Sequence, residues 1–460
     1  MAKNTGPFPR RRTSTTEKTG RTTTNRTSLT EPRIAEAGEA GPAVAIARRA
    51  ADRLRAGHLW VYRSDVEELI PAVGATGITA GALVTIVDSR RIPLGSALWS
   101  DASQIALRKV SEVPKLSHAA YLNDVRERLQ RSVRLRTELL KESPGTDSCR
   151  LVFSEADELP GIIADRYNDL VVLQLLTQGT ANDDLRELIA ETLVTELTPA
   201  RGEREAPALA TIVERPDPRI RELEQLAAVN PSPLFTTAST PAEAKTATVF
   251  VLNGLRFHYD ANSGQKTGAF LDQRLNYAAA ARHAHGRAMD VCTYQGGFAL
   301  HLAQVCESVV GVDQSRGALE VAERNLALNQ TKLKAAVEWM EADAFELLRE
   351  YDSTGERFDT IVLDPPAFAK SKRAMEGALR GYKEMNLRAL RMLKPGGVLV
   401  TCSCSHHVSL AEFTAVIAAA ASDAGRRVRL IETRGAALDH PEVLTLPETA
   451  YLKCLIARVD

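Results

Sequence analysis

Cysteine is scarce in this sequence: Cys149, Cys292, Cys306, Cys402, Cys404 and Cys454 are spread unevenly over 460 residues. Such spacing excludes a small disulfide scaffold and fits thiols kept in a reducing, cytoplasmic compartment. Long apolar runs are missing, so no segment reads as a transmembrane helix and no membrane partner is expected. The N-terminus lacks the apolar core of a secretion signal. Charge of one sign is not in excess: 58 basic residues face 58 acidic ones, so net charge does not announce a nucleic-acid partner. What is present is an ordinary globular balance, 44% hydrophobic and 25% charged, in a chain long enough for two to four domains.

Charge is unevenly placed. Residues 1–33 hold eight basic side chains against Glu17 and Glu31, with Phe8 as the only aromatic. Too little apolar surface exists there to offset ordering entropy, so residues 1–42 read as a disordered basic tail. A flexible arm that meets RNA phosphate and a solvated tail without a role are equal readings of it.

Residues 43–117 alternate short apolar runs with turns, including Gly81–Asp88, Gly95–Trp99 and Gln104–Val110, and form a small β-rich unit. Residues 118–141 switch to helical spacing, with Leu122, Val125, Leu129, Val133 and Leu140 on one face. Arg126, Arg128, Arg131, Arg134 and Arg136 decorate that helix and could lie on RNA, although a solvated face is the commoner cause. Strands at 151–153, 161–167, 170–176 and 211–215 and a helix at 180–197 make residues 118–248 an α+β middle domain. The Pro-, Thr- and Ser-rich stretch 228–248 reads as a loop. From 249 onward a hairpin precedes strictly alternating strands and helices, which predicts a Rossmann-like, doubly wound parallel α/β sheet.

The chemistry lies in that last part. Asp290-Val-Cys-Thr-Tyr-Gln-Gly-Gly-Phe298 ends one strand and opens a helix, where glycine lets a ligand approach the backbone. The next strand ends at Asp313 and the third reaches Glu341 and Asp343. A nicotinamide site would want G-x-G-x-x-G, and only the Gly296-Gly297 pair is present. Acids ending successive strands suit S-adenosylmethionine: its amine at Asp290, ribose at Asp313, adenine amino group at Asp343. Helix capping explains one of these acids easily and all of them poorly. The fourth strand ends in Asp364-Pro365-Pro366-Ala367-Phe368, a rigid loop able to hold an amide-like edge and stack a base. The fifth runs into Thr401-Cys402-Ser403-Cys404-Ser405-His406-His407. A thiolate there can add to carbon 6 of a pyrimidine and make carbon 5 nucleophilic. Buried structural cysteine is the bland alternative. A metal site is disfavoured because Cys402, Cys404, His406 and His407 are packed too closely for zinc.

These strings, with Gly264-Gln265-Lys266-Thr267-Gly268-Ala269-Phe270-Leu271-Asp272-Gln273-Arg274 and Gly57-His58-Leu59-Trp60-Val61-Tyr62, resemble the class I S-adenosylmethionine-dependent RNA methyltransferases. The likeness spans 43–460 and is greatest to the RlmI-type large-subunit (23S) ribosomal RNA cytosine-5 methyltransferases. It implies an RNA-binding PUA-like domain at 43–117 and a methyltransferase domain at 249–460. It also implies roles. Cys402 resembles the covalent nucleophile, with Cys404 the competing assignment. Asp364 bonds the cytosine ring nitrogen, Pro365 or Pro366 reads the exocyclic amine, and Phe368 flanks the base. Tyr294, Gly296 and Gly297 line the cofactor turn, while Lys266, Thr267 and Arg274 lie near cofactor or RNA phosphate. Ribosomal RNA is the expected partner, with a homodimer left open. The alternative on the same fold is a guanine or amino-group RNA methyltransferase with both cysteines as bystanders. The sequence departs from the resemblance at Glu158, where glycine is expected before Leu159-Pro160-Gly161.

Overall fold

A computed structural model describes residues 41–198, 208–230, 232–262, 268–368 and 374–460; the basic tail up to residue 40, Lys266 and Thr267 lie outside the described residues. Strands β1 (Ala43–Ile46), β2 (Trp60–Tyr62), β3 (Val66–Ile70), β4 (Leu83–Asp88), β5 (Pro93–Trp99) and β6 (Ile105–Ser111) form one sheet in the order β2-β6-β5-β4-β1-β3. The β-rich reading of this stretch holds. Within it the Arg-punctuated segment forms a helix, α1 (Arg48–Arg55), because Ala50, Ala51 and Leu54 recur at helical spacing and are buried.

Helix α2 (His118–Lys141) fills the predicted span and starts at Ser117, whose side chain accepts from the Ala120 amide. Its arginines are largely engaged within the chain. Arg136 is fully buried and donates to both carboxylate oxygens of Asp157, at 2.6 and 2.8 Å. Arg128 donates to the Val110 and Glu158 carbonyls, and Arg134 pairs with Glu196. Strands β7 (Ser148–Phe153), β8 (Ile162–Tyr167), β9 (Leu170–Leu175), β10 (Thr211–Glu214) and β11 (Phe235–Thr236) line up in reverse numerical order, with α3 (Asp183–Leu197) and α4 (Pro218–Glu224). The stretch read as a loop therefore contains β11, and α4 precedes it. The start of α4 carries a legible signal, an Asp217 cap followed by Pro218. Glu158 has φ of 59°, so the backbone there is left-handed, the conformation that glycine would adopt freely.

A hairpin of β12 (Ala247–Leu252) and β13 (Leu255–Asp260) leads to α5 (Arg274–His283). The alternating series follows: β14 (Arg287–Val291), α6 (Gly297–Leu302), β15 (Ser308–Asp313), α7 (Arg316–Asn329), β16 (Ala336–Glu341), α8 (Ala344–Thr354), β17 (Phe358–Leu363), α9 (Met375–Met392) and β18 (Leu393–Ser403). The chain ends with α10 (Leu410–Ala424), β19 (Val428–Arg434) and β20 (Lys453–Val459). The seven strands β14–β20 pair in the order β16-β15-β14-β17-β18-β20-β19.

The sheet is parallel from β16 to β18 but not throughout: β20 inserts antiparallel between β18 and β19. Its Lys-Cys-Leu-Ile-Ala-Arg-Val run is buried almost along its length, as a central strand with both faces covered must be. The winding reverses between β14 and β17, which opens a crevice beyond the carboxyl ends of the strands. Tyr167, Leu170 and Val172 of the middle sheet share one apolar core with Phe250 of the hairpin and with Ala288 and Cys402 of the large sheet. Among the described residues, no helix is long and apolar enough to cross a membrane.

Candidate active site

The turn after β14 is the most contorted backbone in the large sheet. Cys292, Tyr294 and Gly296 take φ values of 65°, 53° and 85°. Left-handed non-glycine residues are costly and persist where the surroundings over-determine them. Here Asp313 does so: one of its carboxylate oxygens accepts from the Tyr294 amide at 2.8 Å, the other from Ser315 at 2.9 Å. The glycines serve packing as much as ligand approach. A Cβ at Gly296 would lie 2.8 Å from the Trp339 ring, and one at Gly297 would lie 2.6 Å from Tyr277.

Asp290, Asp313 and Asp364 stand at the carboxyl ends of the neighbouring strands β14, β15 and β17, and they are not equivalent. Asp290 is fully buried; one oxygen accepts from Thr293 Oγ1 and the Ala299 amide, while Oδ1 has no partner. Burial pushes its carboxyl up to about 7 despite those hydrogen bonds. An orphaned, buried acceptor fits the ammonium of a bound amino acid moiety. Because the folded-state value lies above the ordinary one, the charged form is penalised by folding. Stability is therefore expected to fall by a few kcal/mol as pH rises from about 4 through about 7. Urea denaturation across that range should show a shallower slope for Asp290→Asn. Asp343 caps α8, its Oδ1 accepting from the Phe345 and Glu346 amides. The capping explanation thus applies to this acid, while its second oxygen takes no part in the cap.

The pocket beside Asp290 is walled by Phe250 and Phe257 of the hairpin, by Phe270 and Tyr277, and by the Thr293–Gln295 turn, and it reaches Asp364. Tyr294 closes one side, its hydroxyl donating to the Gly268 carbonyl at 3.0 Å and its ring meeting Phe270.

Asp364 Oδ2 accepts from Gln273 Nε2 at 3.0 Å. Gln273 Oε1 accepts in turn from Asn276, and Asn276 Oδ1 from Arg434. Gln273 and Asn276 are both buried, so this chain fixes the carboxylate from beneath. Pro365 is buried and Pro366 exposed. Phe368 packs against Phe345 and Tyr382, with ring centroids 5.8 and 4.7 Å away, so part of its role is structural.

Strand β18 ends at Ser403, and Cys404 and Ser405 follow just beyond it. Both serine hydroxyls bond the Tyr382 hydroxyl at 2.9 Å. The cysteines differ in depth. Cys402 is fully buried opposite Cys454 of β20, in the apolar core. Burial, then Cys454 and Asp364, push its thiol well above the ordinary range. Cys404 stands just past the strand end, partly exposed, its Sγ 3.9 Å from the Pro365 carbonyl.

Arg274 does not sit where phosphate could reach it. It is 1% exposed and pairs with the equally buried Asp439 at 3.1 Å. Sequence reasoning gave no role to Gln273, Asn276 or Lys453. The Leu-Asp-Gln-Arg string held the signal for the first; the others depend on β19 and β20, which the alternating pattern did not reveal. Among the described residues, no cluster of His, Cys, Asp and Glu could hold a metal.

An S-adenosylmethionine-dependent methyltransferase family model matches residues 237–457, and a PUA-like domain model matches 44–112. Ribosomal RNA large subunit methyltransferase I of Salmonella newport (strain SL254) is 36% identical over 407 residues, 87% of this chain and 94% of that protein. The protein of the same name from Salmonella gallinarum (strain 287/91 / NCTC 13346) has the same identity and coverage. Among solved structures, an S-adenosylmethionine-dependent methyltransferase from Streptococcus mutans has a TM-score of 0.71 at 16% identity, covering 90% of this chain and 99% of that one. That likeness is one of fold.

Proposed function

Since the chain belongs to the ribosomal RNA large subunit methyltransferase I family of S-adenosylmethionine-dependent methyltransferases, we propose that it methylates carbon 5 of a cytosine in large-subunit ribosomal RNA through a covalent cysteine adduct. The observation that carries this reading is the partly exposed Cys404 beside the Asp364-Pro365 loop, Asp364 itself lining the pocket walled by Thr293, whose hydroxyl bonds the buried Asp290 with its orphaned oxygen. S-adenosylmethionine, when bound, supplies an electrophilic methyl group. Asp290 would hold its amine, Asp313 its ribose hydroxyls and Asp343 its adenine amino group, with Tyr294, Gly296 and Gly297 shaping the wall.

The chain's own residues then act on the base. A target stacked in RNA must first be flipped out. The Cys404 thiolate adds to carbon 6, which raises electron density at carbon 5. Asp364, held by Gln273, bonds the ring nitrogen and supports its protonation during that addition. The Pro365 carbonyl, 3.9 Å from Cys404 Sγ, would accept from the exocyclic amine. After methyl transfer, loss of the carbon 5 proton and departure of the thiolate restore aromaticity. Cys404 is preferred over Cys402 because Cys402 is walled off by Cys454 and the core.

Titration calorimetry with S-adenosylmethionine, followed by methyl transfer to protein-free large-subunit RNA, tests the reading. Saturable cofactor binding together with labelled RNA is expected. Cofactor binding with no label on the RNA would reject protein-free large-subunit RNA as the substrate.

A further inference from the structure

Resting on the reading of Cys404 as nucleophile, we propose that Lys453 is a positioning residue that holds the Cys404 loop and stabilises its thiolate. A free thiol titrates near 8.5 and needs nearby positive charge to ionise at neutral pH. Lys453 is the first residue of β20 and lies directly across the antiparallel ladder from Ser403. Its Nζ donates to the Ser405 carbonyl at 2.7 Å and to the Tyr451 carbonyl at 2.8 Å. Lys453 therefore flanks Cys404, its backbone paired with the residue before and its ammonium bonded to the carbonyl of the residue after.

Lys453 is 6% exposed, so its charge is poorly screened. Burial lowers its ammonium to about 8, and the negative potential of Cys404 and Glu412 opposes that fall. The same mutual interaction makes the ammonium favour the thiolate. Two of its three N–H donors are taken by carbonyls, which fixes its position.

Among the described residues, other ionisable groups surround this pair. Glu412 lies on α10 and is engaged by Ser409. Tyr382 projects from α9 and is raised by burial, as is Tyr451, whose hydroxyl donates to Asp272. His406 Nδ1 meets the Glu448 carbonyl. Asp364 and Cys402 lie on the β17 and β18 side. Of these described groups, Lys453 is a cation whose ammonium bonds the carbonyl of Ser405, the residue next to Cys404.

The test is the pH dependence of Cys404 alkylation by iodoacetamide in the full chain, followed by peptide mass mapping. The variants are Lys453→Gln, which keeps a hydrogen-bond donor without charge, and Lys453→Arg, which keeps charge. The wild-type alkylation midpoint is expected below that of Lys453→Gln by about one pH unit, with roughly tenfold slower labelling of the variant at pH 7. Lys453→Arg should recover most of the rate. In RNA methylation, kcat should fall for Lys453→Gln while S-adenosylmethionine affinity stays constant. Coincident midpoints for wild type and Lys453→Gln would overturn the proposal, as would failure of Lys453→Arg to recover a folded variant's rate. Cys404→Ser provides the separate control. If it methylates RNA normally, the nucleophile assignment fails whatever the alkylation profile shows.

Discussion

Cys404→Ala is expected to reduce RNA methylation at least about 10³-fold, because the covalent step has no substitute nucleophile. Cys402→Ala should behave differently. Its side chain fills core space against Cys454, so truncation should cost on the order of 1 kcal/mol of stability and leave the thiolate chemistry in place. RNA carrying 5-fluorocytidine separates the two. Fluorine cannot leave carbon 5 as a proton does, so an adduct formed on wild type should survive denaturing electrophoresis. Cys402→Ala should still form the adduct and Cys404→Ala should not. The reverse pattern would return the nucleophile to Cys402.

The second large effect is structural. Asp439 is fully buried, with Oδ1 accepting from Arg274 and Oδ2 from the Arg150 amide, while its carbonyl accepts from Arg136. Burial alone would raise its carboxyl, but His440, Arg274 and the Arg150 amide hold it well below the usual range. Arg136 and Arg150 belong to the middle unit and Arg274 to the large one, so this acid stitches the two together. Asp439→Ala leaves a buried guanidinium unpaired and is expected to cost about 3–5 kcal/mol in urea denaturation. Replacing both partners, Arg274→Met with Asp439→Leu, should cost less. A depressed carboxyl stabilises the fold above the unfolded value, and that contribution is lost as pH falls below about 4. Asp439→Ala should therefore flatten the acid limb of stability. A loss under about 1 kcal/mol would show that the pair is not what holds the units together.

Much of this site is legible in the sequence because strand ends carry their own punctuation. Asp290, Asp313 and Asp364 each close a run of alternating elements, and the structure gathers them at the winding reversal. The run after the fifth strand likewise marks Cys402 and Cys404 as the two candidate nucleophiles. What alternation cannot give is depth. Which thiol is open depends on Cys454, some 50 residues later, arriving opposite Cys402 in a strand that runs the other way. The same strand delivers Lys453. Arg274 misled for a related reason: the family resemblance put it near cofactor or RNA phosphate, but its partner Asp439 is distant in sequence and reached only through the fold. Phe368 shows the converse, a residue whose packing against Tyr382 is visible only in three dimensions.

The most direct measurement is to methylate large-subunit ribosomal RNA with radiolabelled S-adenosylmethionine, digest it, and identify the labelled nucleoside by chromatography. The account predicts 5-methylcytidine, absent with Cys404→Ala. Label in a guanine nucleoside or on an exocyclic amine, retained in Cys404→Ala and Cys402→Ala alike, would contradict it and make the Asp364-Pro-Pro-Ala-Phe loop an amine site.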